Sequence, residues 1–141
     1  MATTRTAHTV WTGDLPQGKG TVSFDSSGIA DQPVSWPARA EKAGGKTSPE
    51  ELIAAAHSSC FAMALSNGLS QAGTPPERLE TQAEVTLQPG TGITGIALSV
   101  RGQVPGIDEE AFLRAAEEAK ANCPVSQALA STTITLTAAL D

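Results

Sequence analysis

Residues 48–73, with the sequence SPEELIAAAHSSCFAMALSNGLSQAG, predict one long helix that decides the fold. Ser48 is a favourable N-cap residue, Pro49 suits the first helical position, and Glu51 completes a Ser-x-x-Glu capping box. The helix should continue to about Gln71. It should stop at Gly73, because glycine readily adopts the left-handed conformation that ends many helices.

The central part of this helix is apolar on every side. Eleven of the fourteen residues at 52–65 are apolar, and such a helix is expected to be buried all round. A chain of 141 residues can hardly wrap a helix completely, so we expect a partner subunit to cover part of it. The apolar run is interrupted by His57, Ser58 and Ser59 and is short for a bilayer span, so we expect no membrane insertion.

Alternating apolar and polar residues predict strands on both sides of this helix in the sequence. A second helix is expected after Asp108, because Phe112, Ala115, Ala116 and Ala119 would fall on one stripe. Strands with one apolar face are typical of antiparallel sheets, so we expect one α+β domain over residues 1–141, with a curved antiparallel sheet packed on helices. The expected strands cover residues 6–11, 20–24, 81–87, 96–104 and 132–140, with a short extended piece at 34–36 and a loop at 37–47.

Composition and charge narrow the function classes. Nine basic and fifteen acidic side chains give a net charge of −6, and no basic cluster is present to neutralise phosphates. We therefore expect no binding to nucleic acid. The N-terminus lacks the apolar run of a secretory signal, so we expect a cytoplasmic protein.

The two cysteines, Cys60 and Cys123, lie 63 positions apart. Neither belongs to a closely spaced metal-binding pair, and no metal site is expected. They could be two inert buried thiols. Cys60, however, lies in mid-helix, where it should be protected and where burial alone would raise its pKa. Cys123 precedes Pro124 and can cap a new helical turn, whose free N–H groups favour a thiolate. This asymmetry is expected of an attacking thiol and a resolving thiol.

Two motifs around these cysteines resemble one known family. The segments SPEELIAAAHSSCF at 48–61 and NCPVS at 122–126 are similar to those of the osmotically inducible protein C (OsmC) and organic hydroperoxide resistance superfamily. The resemblance covers nearly the whole chain. WTGD at 11–14, GKGT at 18–21 and VPGID at 104–108 fit the OsmC branch.

The resemblance implies a thiol-dependent peroxidase that reduces organic hydroperoxides. It also implies an intertwined homodimer, with long central helices wrapped by sheets and two active sites at the subunit interface. Cys60 matches the peroxidatic cysteine, Cys123 the resolving cysteine and Glu50 the carboxylate at the helix start. No metal, flavin or nucleotide cofactor is implied, and an external dithiol of the lipoyl type would act as reductant.

The family also uses an arginine, and Arg39 falls where the OsmC branch keeps it, before the long helix. Loop residues carry function more often than residues within regular elements, which favours this choice. The other arginines are less suitable. Arg5 lies near a terminus and Arg78 follows a proline turn, while Arg101 is expected on a solvent-facing strand position and Arg114 on a helix.

The expected mechanism starts with Arg39 pairing with the sulfur of Cys60 and lowering its pKa, while Glu50 orients the guanidinium. Glu50 and Cys60 are ten residues apart on one helix, about 15 Å along its axis, so Glu50 would serve the Cys60 of the other subunit. His57 is expected to be structural. The alternatives are a redox sensor and a small-molecule-binding or thioesterase-like dimer with Glu50 or Glu51 as its base.

Overall fold

The computed structural model describes all residues, Met1–Asp141, and the chain divides into two compact units, Met1–Leu52 and Ile53–Asp141. The prediction that residues 1–141 form a single domain therefore remains a prediction.

The first unit is built on a small antiparallel sheet. Strands β1 (His8–Thr12), β2 (Lys19–Ser23) and β3 (Gln32–Val34) pair in that order. The ring of Trp11 packs over β2 at Gly20, where an added Cβ would lie 2.7 Å from the ring. The two expected strands are therefore present, and the extended piece lies slightly earlier than predicted.

The loop predicted for residues 37–47 is wrong in its first part. Residues Trp36–Ala40 form a short helix, α1. The backbone N–H of Ala38 donates to Oγ of Ser35 at 3.2 Å, and Pro37 occupies the first turn, which is where proline favours a helix. A proline is compatible with a loop and with the first turn of a helix, and here Pro37 lies in the first turn.

The long helix α2 spans Pro49–Gln71, as predicted. The N–H of Glu51 donates to Oγ of Ser48 at 3.1 Å, and Gly73 has a φ of 87°. The carboxylate of Glu51 accepts from Oγ1 of Thr47 at 2.6 Å instead of from the N–H of Ser48, so only the Ser48 half of the predicted capping box is formed. Thr47 in turn donates its N–H to the carbonyl of Pro33 at 3.1 Å, which ties the start of α2 to β3.

Within the protomer α2 is buried on one face only, so a single chain does not bury this helix completely. The face carrying His57, Phe61, Leu65 and Leu69 is buried. The opposite face is exposed and consists of small residues and one methionine: Ala55, Ala56, Ser59 and Met63. Met63 is 71% exposed, which is high for a large apolar side chain on a core helix.

By length and composition alone, the whole of α2 is long and apolar enough to cross a membrane, whereas its apolar segment 52–65 is short for a bilayer span. Only 22% of its most apolar window is buried within the protomer. Core helices of soluble proteins meet the same criteria of length and composition.

The second unit contains a sheet of strands β4 (Arg78–Gln88), β5 (Gly92–Gln103) and β6 (Ile134–Leu140), in that order. β4 and β5 form the predicted antiparallel hairpin. β5 and β6 are parallel, so the expectation of a purely antiparallel sheet is wrong. The reason is the helical connection between them, which returns the chain to the starting edge, as parallel pairing requires.

That connection consists of α3 (Glu109–Asn122) and α4 (Pro124–Ala128). Asp108 caps α3, accepting the N–H of Ala111 at 2.8 Å, as predicted. Phe112 is fully buried and its ring lies against β5 at Gly102, where an added Cβ would meet it at 2.6 Å. The core of this unit also includes the buried apolar residues of α2 and β5.

Candidate active site

The two cysteines lie in the second unit and are both free. Cys123 is the N-cap of α4, followed by Pro124, as predicted. The expectation that Cys60 is the protected thiol is wrong for the protomer. Cys123 is fully buried, whereas Cys60 is half-buried and lines a cavity of about 950 Å³ between α2 and α3.

The two thiols influence each other. Burial raises the pKa of Cys60, and a hydrogen bond with Cys123 raises it further, against the smaller effect of the backbone of Val125. Burial also opposes ionisation of Cys123, but hydrogen bonds from Cys60 and from the backbone and side chain of Ser126 outweigh it, so its pKa is lowered. In the protomer, Cys123 is therefore the more acidic thiol.

This order differs from the sequence-based mechanism, which expected a lowered pKa at Cys60. Cys60 lies in the middle of a helix, where the backbone N–H groups are engaged within the helix, so its surroundings in this unit favour the neutral thiol. The two thiols lie close enough to shift each other's pKa, and this proximity is the chemical capability of the second unit.

Arg39 and Glu50 form an ion pair in the first unit. Nε and Nη2 of Arg39 donate to Oε1 and Oε2 of Glu50, both at 2.9 Å. Glu50 is only 7% exposed, and its carboxylate raises the pKa of Arg39 further above its usual range. The guanidinium lies over the ring of Trp36, with 6.0 Å from Cζ to the ring centroid. Arg39 lies on α1, and the expected loop position is corrected accordingly.

An apolar cavity of about 450 Å³ opens beside this ion pair. Its walls are the sheet, α1 and the first turn of α2, and they include Trp11, Val22, Trp36 and Leu52. The Arg39 guanidinium thus sits at the edge of a hydrocarbon-lined space.

His57 makes a hydrogen bond that the sequence analysis did not assign to a particular residue. Its Nε2 lies 2.7 Å from Oγ of Ser126, and both side chains are buried. Burial lowers the pKa of His57, which keeps the imidazole neutral. The missed residue is Ser126. The sequence clue to Ser126 was its position three residues after an N-cap cysteine, where a side chain can contact the capping residue.

The candidate residues therefore form two groups, Arg39 with Glu50 and Cys60 with Cys123. The chain contains no group of three or more His, Cys, Asp or Glu side chains that could hold a metal ion.

A family model described as OsmC-like protein matches residues 42–138, and the chain belongs to this OsmC-like family. The chain is 48% identical over 122 residues to the peroxiredoxin OsmC of Escherichia coli strain K12, covering 84% of this chain and 85% of that protein. It is 31% identical over 130 residues to an organic hydroperoxide resistance protein of Xanthomonas axonopodis pv. citri, covering 87% and 85%.

Solved structures share the fold. The organic hydroperoxide resistance protein OhrB of Bacillus subtilis superposes with a TM-score of 0.68 at 24% identity, over 96% of this chain and 98% of that one. The family prediction and the α+β fold class are therefore confirmed.

Proposed function

We propose that this protein is a cysteine-based peroxidase that reduces organic hydroperoxides to alcohols, and hydrogen peroxide less well, in the cytoplasm. The observation that carries the proposal is the interaction between Cys60 and Cys123, one half-buried beside a cavity and the other fully buried. The relatives named for peroxiredoxin activity and hydroperoxide resistance support it.

In the first step the thiolate of Cys60 attacks the terminal oxygen of the hydroperoxide. The O–O bond breaks, an S–O bond forms, and the leaving alkoxide takes a proton to become the alcohol. Cys60 is then a sulfenic acid. In the second step the thiolate of Cys123 attacks the Cys60 sulfur, hydroxide leaves and is protonated to water, and a disulfide forms. An external dithiol, of the lipoyl type in our proposal, is oxidised as it returns both thiols.

A homodimer completes this site. The exposed face of α2, with Ala55, Ala56, Ser59 and Met63, consists mainly of small residues that allow a second helix to approach closely. We assign this face to the α2 of a second copy, which would also cover the apolar surface that the protomer leaves open.

In this dimer Arg39 and Glu50 of one protomer serve the Cys60 of the other. Nη1 of Arg39 makes no hydrogen bond within the protomer, so it is available to a thiolate or to the peroxide. A positive charge at contact distance lowers a thiol pKa by about 1–3 units, which would overcome the raised pKa of Cys60. The apolar cavity beside Arg39 would receive the alkyl group of the substrate.

The competing function is a binding or thioesterase-like dimer with Glu50 or Glu51 as its base. The geometry favours the peroxidase, because both oxygens of Glu50 are occupied by Arg39 and Glu51 accepts from Thr47. Glu50 would have to break its ion pair with Arg39 before it could act as a base.

Titration of free thiols before and after one equivalent of cumene hydroperoxide separates these functions. The peroxidase loses both thiols per chain and releases one cumyl alcohol. The binding module loses none, and this result would overturn the proposal. A Cys60→Ser, Cys123→Ser double variant is the control for reactions that do not involve these thiols.

A further inference from the structure

One buried polar pair is not used by the proposed mechanism. His57 lies on α2, three residues before Cys60, and is fully buried. Its Nε2 lies 2.7 Å from Oγ of Ser126 on α4, so the pair links the helices that carry the two thiols. Its other nitrogen, Nδ1, is the only buried side-chain nitrogen or oxygen without a hydrogen-bond partner in the chain.

The orphaned nitrogen indicates which tautomer is present. A neutral imidazole carries its proton on one nitrogen only. If Nδ1 held the proton, a buried N–H donor would have no acceptor, and such orphaned donors are rare in protein interiors. The proton is therefore on Nε2, and His57 donates to the hydroxyl oxygen of Ser126.

This direction leaves the hydroxyl proton of Ser126 free for another acceptor. Cys123 is the N-cap residue of α4 and Ser126 lies in the first turn of the same helix, so the sulfur of Cys123 is the acceptor that we consider. Consistent with this, the side chain of Ser126 stabilises the ionised form of Cys123. Cys60 is the only other titratable group that acts on this thiol.

We propose that His57 and Ser126 are positioning residues for the resolving thiol: His57 orients the Ser126 hydroxyl, and that hydroxyl donates to the sulfur of Cys123 and directs it at Cys60. The inference rests on the proposed function, because an ionised Cys123 is the form that attacks the Cys60 sulfenic acid. Ser126 would act on the second step of the cycle, disulfide formation, more than on the attack on peroxide.

The test measures the two steps separately in single-turnover reactions with cumene hydroperoxide. Formation of the sulfenic acid and of the disulfide is followed in the wild type, Ser126→Ala and Ser126→Thr. Loss of one hydrogen bond that shifts a thiol pKa by one unit changes its thiolate fraction about tenfold. Disulfide formation in Ser126→Ala should therefore slow about tenfold near neutral pH and recover at higher pH. Ser126→Thr, which keeps the hydroxyl, should retain most of the rate.

A second pair of variants tests the donor. His57→Leu removes the group that orients Ser126 and should slow disulfide formation, whereas His57→Gln can still donate from its amide and should restore part of the rate. Ultraviolet titration of the Cys123 thiolate in a Cys60→Ser background, with and without Ser126→Ala, gives the same comparison without peroxide. The titration replaces the kinetic test if Ser126→Ala reacts too slowly with peroxide. If Ser126→Ala does not fold, Ser126→Thr and His57→Gln are compared with the wild type instead.

Two outcomes are distinguishable. If wild type forms no sulfenic acid or disulfide, the proposed peroxidase function fails. If wild type reacts while Ser126→Ala shows the same rate and pH profile of disulfide formation, and the Cys123 titration is unchanged, only the positioning role of His57 and Ser126 is overturned.

Discussion

The two shortest hydrogen bonds between Arg39 and Glu50 are of equal length, from Nε to Oε1 and from Nη2 to Oε2, both 2.9 Å, and Nε also donates to Oε2 at 3.2 Å. This two-point contact fixes the plane of the guanidinium as well as its position. The third nitrogen, Nη1, remains uncommitted within the protomer. The contact thus presents one oriented donor beside an apolar cavity, and it motivates the first prediction.

Removing the positive charge of Arg39 should raise the pKa of the Cys60 thiol. We expect Arg39→Gln to slow peroxide reduction at neutral pH and to recover part of the rate as pH rises, because more Cys60 ionises without help. Arg39→Lys should restore only part of the rate, since a point charge cannot bond a carboxylate at two points and a sulfur at a third. Ultraviolet absorbance of the thiolate against pH measures this in a Cys123→Ser background. An unchanged titration in Arg39→Gln would exclude Arg39 from the site.

The two cysteines should have different roles. Cys60→Ser should abolish peroxide consumption, because a serine hydroxyl is not ionised near neutral pH. Cys123→Ser should react once, leave a sulfenic acid that a dimedone probe can trap, and then overoxidise. Mass spectrometry of the trapped adduct distinguishes the variants. Since Cys123 is the more acidic thiol in the protomer, the reverse pattern, with the first turnover lost in Cys123→Ser and kept in Cys60→Ser, would exchange the assignments.

Active sites shared between protomers should be recovered by mixing two inactive variants. Cys60→Ser supplies an intact Glu50, and Glu50→Ala supplies an intact Cys60, so each heterodimer has one complete site. Random assembly by co-expression should restore about a quarter of the wild-type activity, as half of the dimers are mixed and each has one of two sites. Each variant alone is the control. A stable, active monomer in light scattering would contradict the shared site.

Alkyl hydroperoxides should be preferred over hydrogen peroxide. The cavity beside Arg39 is lined by Trp11, Trp36 and aliphatic side chains, and each buried CH₂ contributes about 0.8 kcal/mol. A few additional methylenes in the substrate should therefore raise kcat/KM by more than about tenfold. The measurement is kcat/KM for a series of alkyl hydroperoxides of increasing length. Equal values along the series would argue against substrate entry through this cavity, and Leu52→Ser should flatten the series if the cavity is used.

Acidification should destabilise the fold through His57. Burial lowers the pKa of this imidazole below its ordinary value of 6.5, so the unfolded chain binds a proton that the folded chain does not. Stability from this source is present above pH 6.5 and decreases as pH falls from there towards the folded-state pKa. Urea unfolding at a series of pH values should show this loss for wild type and not for His57→Gln, and the same slope in both would contradict it.

Much of the fold follows from local signals in the sequence. Ser48, Pro49 and Gly73 mark both ends of α2, and Asp108 marks the start of α3, because capping depends on residues within one turn of each other. The pairing of β5 with β6 was predicted in the wrong direction. Strand direction depends on how the intervening helices return the chain, and alternation along one strand carries no record of that.

For the site, the motifs around Cys60 and Cys123 pointed to the family and to Cys60, Cys123 and Glu50, whereas Arg39 was chosen from its place before the long helix. Ser126 was missed because its partner, His57, is 69 positions away in the sequence and becomes a neighbour only when α4 packs on α2. The order of the two thiol pKa values was also beyond the sequence, since it depends on burial and on which hydrogen bonds each sulfur receives.

The sequence by itself determined where α2 begins and ends, where α3 begins, which face of α3 packs on the core and which family the chain belongs to. Those properties arise from neighbours within a few positions and from periodicity. The tertiary structure decided that α2 keeps one apolar face open, that Cys123 is the more buried thiol, and that His57 meets Ser126. Each of these features depends on contacts between segments that are distant in the sequence. The energies of such contacts vary steeply with distance and with the exclusion of solvent, and no local sequence pattern encodes those distances.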